Sequence, residues 1–150
     1  MATPDDDPHN LQRFVAAQEE AYAAALGELR AGRKRTHWMW FVFPQVTGLG
    51  ASPTARFYAI QSHAEAEAYL AHPLLGARLQ ECAGALLAVN GRTAEQIMGF
   101  PDHLKLQSSM TLFAALAGPG SPFAAVLERY YEGKRCPRTL AFLAPETETS

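Results

Sequence analysis

Lys105 and Ser109 stand four residues apart in the segment DHLKLQSSMTLF, residues 102–113. They fall inside an arc otherwise filled by Leu106, Met110, Leu112, Phe113 and Leu116. On a helix that spacing brings the ammonium and the hydroxyl onto one face. A lysine on an apolar face snorkels to water, pairs with an anion, or gives up its proton. The last two outcomes make Lys105 an anion binder or a base beside the Ser109 hydroxyl. The order is the reverse of the Ser-x-x-Lys of serine acyl-transfer enzymes, so that motif is not matched. Asp102 reads as a helix cap rather than an acid–base group.

A second polar residue interrupts an apolar stripe. Leu11, Phe14, Val15, Tyr22, Leu26 and Leu29 share a helical face, and Gln18 lies in its middle. A buried amide without partners costs about 1–3 kcal/mol. Gln18 is therefore a core glutamine held by backbone, or a donor–acceptor pair facing a cleft.

The third unusual stretch is RKRTHWMWFVFPQ, residues 33–45. Arg33, Lys34 and Arg35 offer charge for an anion, and Trp38 and Trp40 offer faces for stacking. Read as an extended run, Met39, Phe41 and Phe43 point into the core, and Trp38, Trp40 and Val42 take the other side. Core packing with solvated bases is the plainest account. The functional alternative is a pocket wall, in which His37, Trp38 and Trp40 present flat surfaces and Gln45 an amide. A nucleic-acid grip sits poorly with an aromatic run that ends in proline, and a membrane foot needs a longer amphipathic helix and a second signal. Gln18, His37, Trp38, Trp40, Gln45, Lys105 and Ser109 together form the candidate pocket, with Arg33, Lys34 and Arg35 drawing an anion toward it.

Other reactive side chains add little. His63 and Glu67 share a face, but two ligands without a third make no metal site. His72, before Pro73, reads as a turn or capping residue. Cys82 aligns with Leu75, Leu79, Leu86 and Val89 as core, whereas Cys136 is the more accessible thiol. No phosphate loop, dinucleotide fingerprint or nucleophile elbow occurs, and no metal or cofactor is implied.

The elements that carry these residues are marked by punctuation. Ser52-Pro53 and Ser121-Pro122 each put a capping hydroxyl before a proline at the first helical position. Ser62 with Glu65, and Thr93 with Gln96, have capping-box spacing. Asn10 is expected to cap a first helix that Gly32 stops, and Pro73 and Pro137 to open two more. Seven or eight short helices follow, near 11–31, 53–60, 63–71, 73–89, 94–98, 102–117, 122–132 and 137–143, with frayed tails at 1–9 and 145–150. Beyond the run at 33–45, no second stretch reads as a strand. The expected fold is all-α, one multihelical domain with an ordered core near 10–144.

Totals bound the rest. The chain has 150 residues, 48% hydrophobic and 19% charged, with a net charge of −2. That is ordinary globular composition with no global pull toward nucleic acid or anionic lipid. The acidic start lacks the apolar run of a signal peptide, and two unpaired cysteines suit a reducing cytoplasm.

Four blocks, LQRFVAAQ, GRKRTHWMWFVFPQVTGLGASP, EAEAYLAHPLLGARL and DHLKLQSSMTLF, together resemble the bacterial family catalogued as domain of unknown function 1810. The resemblance runs from about Leu11 to Leu143, and its His-Trp-x-Trp…Phe-Pro-Gln block is specific. It implies a mainly α-helical fold and transfers no catalytic residue. The calpastatin-like label sometimes attached to members implies a calpain inhibitor, an activity of extended disordered repeats that this composition does not match. A fainter similarity, in the order of the Ala-rich helix, the Lys/Ser/Met helix and a late Arg-Thr-Leu, connects the chain to helical YbiA-like proteins acting on NAD- and ADP-ribose-related compounds. The resulting expectation is a small cytoplasmic protein that binds or processes a nucleotide-like or ADP-ribose-related molecule. The alternatives are a protein-interaction module using 33–45, and an RNA or single-stranded DNA binder through Arg33 to Arg35.

Overall fold

Serines and prolines start helices where their spacing says they should. The computed structural model describes residues 7–144. Among these, the helices are α1 (Gln12–Arg30), α2 (Met39–Val42), α3 (Pro53–Tyr58), α4 (His63–Ala71), α5 (Leu75–Ala88), α6 (Ala94–Met98), α7 (Asp102–Ala117), α8 (Pro122–Tyr131) and α9 (Pro137–Leu143). Ser52 Oγ accepts from Ala55 N and Ser121 Oγ from Ala124 N, each with a proline at the first helical position. Thr93 and Gln96 complete a reciprocal capping box at α6. The all-α expectation holds, with no strand among the described residues. A lone parallel bridge joins Val46 to Ile60.

Several boundaries differ from the sequence reading, each for a local reason. Asn10 does not cap α1. It takes a left-handed conformation (φ 51°) that folds the chain back, so the Asp7 carboxylate accepts from Leu11 N at 2.7 Å and Gln12 N at 3.0 Å. Residues 1–6 and 145–150 of the expected tails lie outside the described residues. Glu65 closes only half of a capping box. Ser62 Oγ accepts from Glu65 N, but the Glu65 carboxylate turns to Gln61 N and Arg13. α5 begins at Leu75 rather than Pro73, because His72 Nδ1 accepts from Leu74 N and Leu75 N ahead of it. Asp102 is the first residue of α7, makes no cap bond, and pairs with lysines instead.

The main surprise is α2. Residues 39–42 form one helical turn, so strict alternation fails and Trp38, Met39, Phe41, Val42 and Phe43 are all buried. Trp40 alone of this run is half-exposed. α7 is buried on almost every side, Ser108, Ser109 and Thr111 included, because it packs against α4, α6, α8 and α9. An aromatic chain crosses the core: Phe14 meets Tyr69 edge-on at 5.0 Å, Tyr69 meets Phe113 at 5.5 Å, and Phe113 meets Phe123 at 6.0 Å. α4 and α5 meet so closely at Gly76 that a Cβ there would stand 2.0 Å from the Leu70 carbonyl oxygen. Only glycine fits.

Candidate functional site

Two backbone amides and two side chains of the α1–α2 link are fixed by one carboxylate. Glu28, in the last turns of α1, accepts from Arg35 N (2.7 Å), Thr36 N (3.0 Å), Thr36 Oγ1 (2.6 Å) and Trp38 Nε1 (2.9 Å). Partial burial pushes this carboxyl up, but the four donors outweigh it and hold its pKa down at about 2. The clasp turns Trp38 inward, where it is 0% exposed and packs near Phe43. Nothing in the local sequence marks Glu28 for this role. Its partners are loop amides whose positions depend on the finished fold.

The three consecutive bases separate. Arg33 and Arg35 are exposed, while the Lys34 side chain turns in, only 8% exposed. Lys34 Nζ donates to Thr36 O at 2.7 Å, lies 3.0 Å from an Asp102 oxygen and sits 5.1 Å above the Trp38 ring. The other Asp102 oxygen is 3.5 Å from Lys105 Nζ, which lies 5.9 Å above the Trp40 ring. One aspartate thus bridges two lysines, each placed over a tryptophan.

Trp40 continues the chain of contacts outward. With Gln45, Tyr58 and Gly50 it lines a slot of about 10 Å³, room for about one water. Gln45 O accepts from Ile60 N at 2.8 Å, and Ile60 O accepts from Thr47 N at 2.9 Å. These two bonds fix the start of the Thr47–Ala51 loop against Ile60. Gly50 presses against α3, where a Cβ would stand 2.6 Å from Ala55 Cβ. Beyond Gly50 the loop walls an open groove of about 660 Å³, flanked by Arg56 of α3, Gln61 and Arg138 of α9. Both guanidiniums are exposed, and neither has an ion-pair partner among the described residues. Sequence reasoning missed both, because Arg138 reaches the loop from about 90 residues downstream only through the docking of α9 on α7.

The anticipated residues are placed as follows. Lys105, Trp40 and Gln45 form a contiguous run. Gln18 is 1% exposed, and its amide nitrogen donates to Phe41 O at 2.7 Å and Tyr69 Oη at 3.1 Å. The Gln18 oxygen faces Arg78 Nη1 at 3.4 Å, so its hydrogen-bonding capacity is used inside the core. Ser109 is fully buried one turn after Lys105, with no hydrogen-bond partner for its hydroxyl. His37 is exposed, and His63 and Glu67 meet at 3.0 Å on open surface.

A family model described as "Protein of unknown function (DUF1810)" matches residues 8–143. The chain belongs to the DUF1810 family. Among solved structures similar to this DUF1810 chain is the conserved hypothetical protein Rv1873 from Mycobacterium tuberculosis. It is 56% identical, with a TM-score of 0.88, covering 90% of this chain and 96% of that one. Among curated proteins none matches. No helix among the described residues is long and apolar enough to cross a membrane.

Proposed function

We propose that this DUF1810 protein binds a small, anionic, nucleotide-like molecule in the groove between the Thr47–Ala51 loop, Arg56 and Arg138. The observation that carries the reading is the pair of exposed guanidiniums, without ion-pair partners among the described residues, on one groove. Elsewhere in the chain two inward-turned cations are matched, Arg13 by Glu65 and Lys34 by Asp102. A guanidinium presents a fork of N–H donors suited to phosphate oxygens, and two on one groove suit a phosphate with more than one free oxygen. Trp40, half-exposed beside Gly50, supports a planar group at the other end of the loop. Lys105, paired with Asp102, lies over the Trp40 ring. Gln18, Trp38 and Ser109 belong to the buried frame in the proposal, and the exposed His37 lies outside the groove lining.

Thermal unfolding with AMP, adenosine and inorganic phosphate tests the reading. A ligand at a hundred times its Kd raises a chain of this size by roughly 5–10 °C. AMP is expected to give that rise, adenosine almost none and phosphate a small one. Equal shifts with AMP and adenosine, or none with either, contradict it.

A further inference from the structure

A second open cavity, of about 480 Å³, adjoins the groove and shares two residues with it, Arg56 and Gln61. Its far wall is Phe57, with His9 and Asn10 on one side and Ser62 on the other. Its floor is the Arg13–Glu65 ion pair, at 2.6 Å. That floor is electrically and sterically complete. Arg13 Nε donates to Phe57 O, Nη1 to His9 O and Asn10 O, and Nη2 to Ala59 O and Glu65 Oε2, so all five N–H groups are used. The Glu65 carboxylate accepts from Arg13 and from Gln61 N. No charge remains in this cavity to attract an ion, apart from Arg56 at its junction with the groove.

Phe57 is 55% exposed although it is a large aromatic on a short helix. Its edge-to-face contact with Tyr58, at 4.8 Å and 83°, fixes the ring while leaving it open to the cavity. A fixed, exposed ring beside Gln61, Ser62 and Asn10 has the features of a stacking platform with polar groups to orient a flat ligand.

Resting on the function proposed above, we infer that the ligand has two arms joined by an anionic linker, the chemistry of a dinucleoside diphosphate. Its linker lies at Arg56, where the two cavities meet. One arm follows the Thr47–Ala51 loop toward Trp40. The other, uncharged, lies on Phe57.

Calorimetric titration of AMP and of diadenosine diphosphate into the full chain, its Phe57→Ala variant and its Arg138→Gln variant tests this. Both substituted side chains are exposed, so each variant retains the fold. The dinucleoside diphosphate is expected to bind about tenfold tighter than AMP, the contribution of one stacked base. Phe57→Ala removes that advantage and leaves AMP affinity unchanged, whereas Arg138→Gln weakens both ligands. Equal affinities in the wild type, or an advantage that survives Phe57→Ala, overturn the second arm while the AMP site stands. Failure of both ligands to bind overturns the arm and the AMP site together.

Discussion

At the scale of single residues, Glu28 does more for the functional region than any residue with an obvious chemical signature. It ties Arg35, Thr36 and Trp38 to the end of α1, so the direction of the aromatic run depends on it. Glu28→Gln keeps the size but loses the charge on four hydrogen bonds. Urea unfolding at pH 7 is expected to show a loss of about 1–3 kcal/mol. The pH dependence follows from a carboxyl pKa of about 2 in the folded chain against an ordinary 4.5. Between those values the unfolded chain binds more protons than the folded one. The carboxylate's stabilisation is therefore complete above pH 4.5 and disappears as pH falls toward 2, and the gap between wild type and Glu28→Gln is expected to close over that interval. A gap constant over that window would contradict the clasp. The two tryptophans give a second residue-level test. Trp38 is sealed and Trp40 half-exposed. Acrylamide is expected to quench wild-type fluorescence in two components and Trp40→Phe fluorescence only weakly. Strong quenching in Trp40→Phe places Trp38 at the surface instead.

At the scale of elements, the helix plan was legible wherever a start signal is local. A serine or threonine one to three residues from its amide partner carries its own instruction, as at Ser52, Thr93 and Ser121. The reading failed where the partner is distant or the element very short. α2 is a single turn, and the six apolar residues in a row at 38–43 satisfy a helix or a strand equally when both sides are buried. Lys105, Trp40 and Gln45 were recognisable because each is polar or aromatic against its expected face. Arg56 and Arg138 were not, because surface arginines in short helices carry no signal until the fold brings them to one groove. Close approach is another element-level property. Gly76→Ala forces α4 and α5 apart against the Leu70 carbonyl, and thermal unfolding is expected to show a loss of about 1–3 kcal/mol or more. Gly84→Ala, on the exposed face of the same α5 with open space around it, is expected to gain roughly 0.5–1 kcal/mol. If both substitutions have the same sign, the packing account of Gly76 is wrong.

At the scale of the whole molecule, charge is distributed unevenly although the total is only −2. The inward-turned Arg13 and Lys34 are paired with carboxylates, and the exposed arginines without an ion-pair partner among the described residues include the two groove arginines together with Arg33, Arg35, Arg92, Arg129 and Arg135. The groove differs from the 33–35 segment in having walls: a loop bonded to Ile60 at its start, a glycine packed on α3, and a helix from the far end of the chain. In the proposed reading, those walls set the groove apart from a diffuse basic patch. The most direct test of this claim is calorimetric titration of AMP into the wild type and into an Arg56→Gln/Arg138→Gln double variant of unchanged thermal stability. A single saturable site in the wild type that vanishes in the double variant is predicted. Equal binding in both, or none in the wild type, would contradict it.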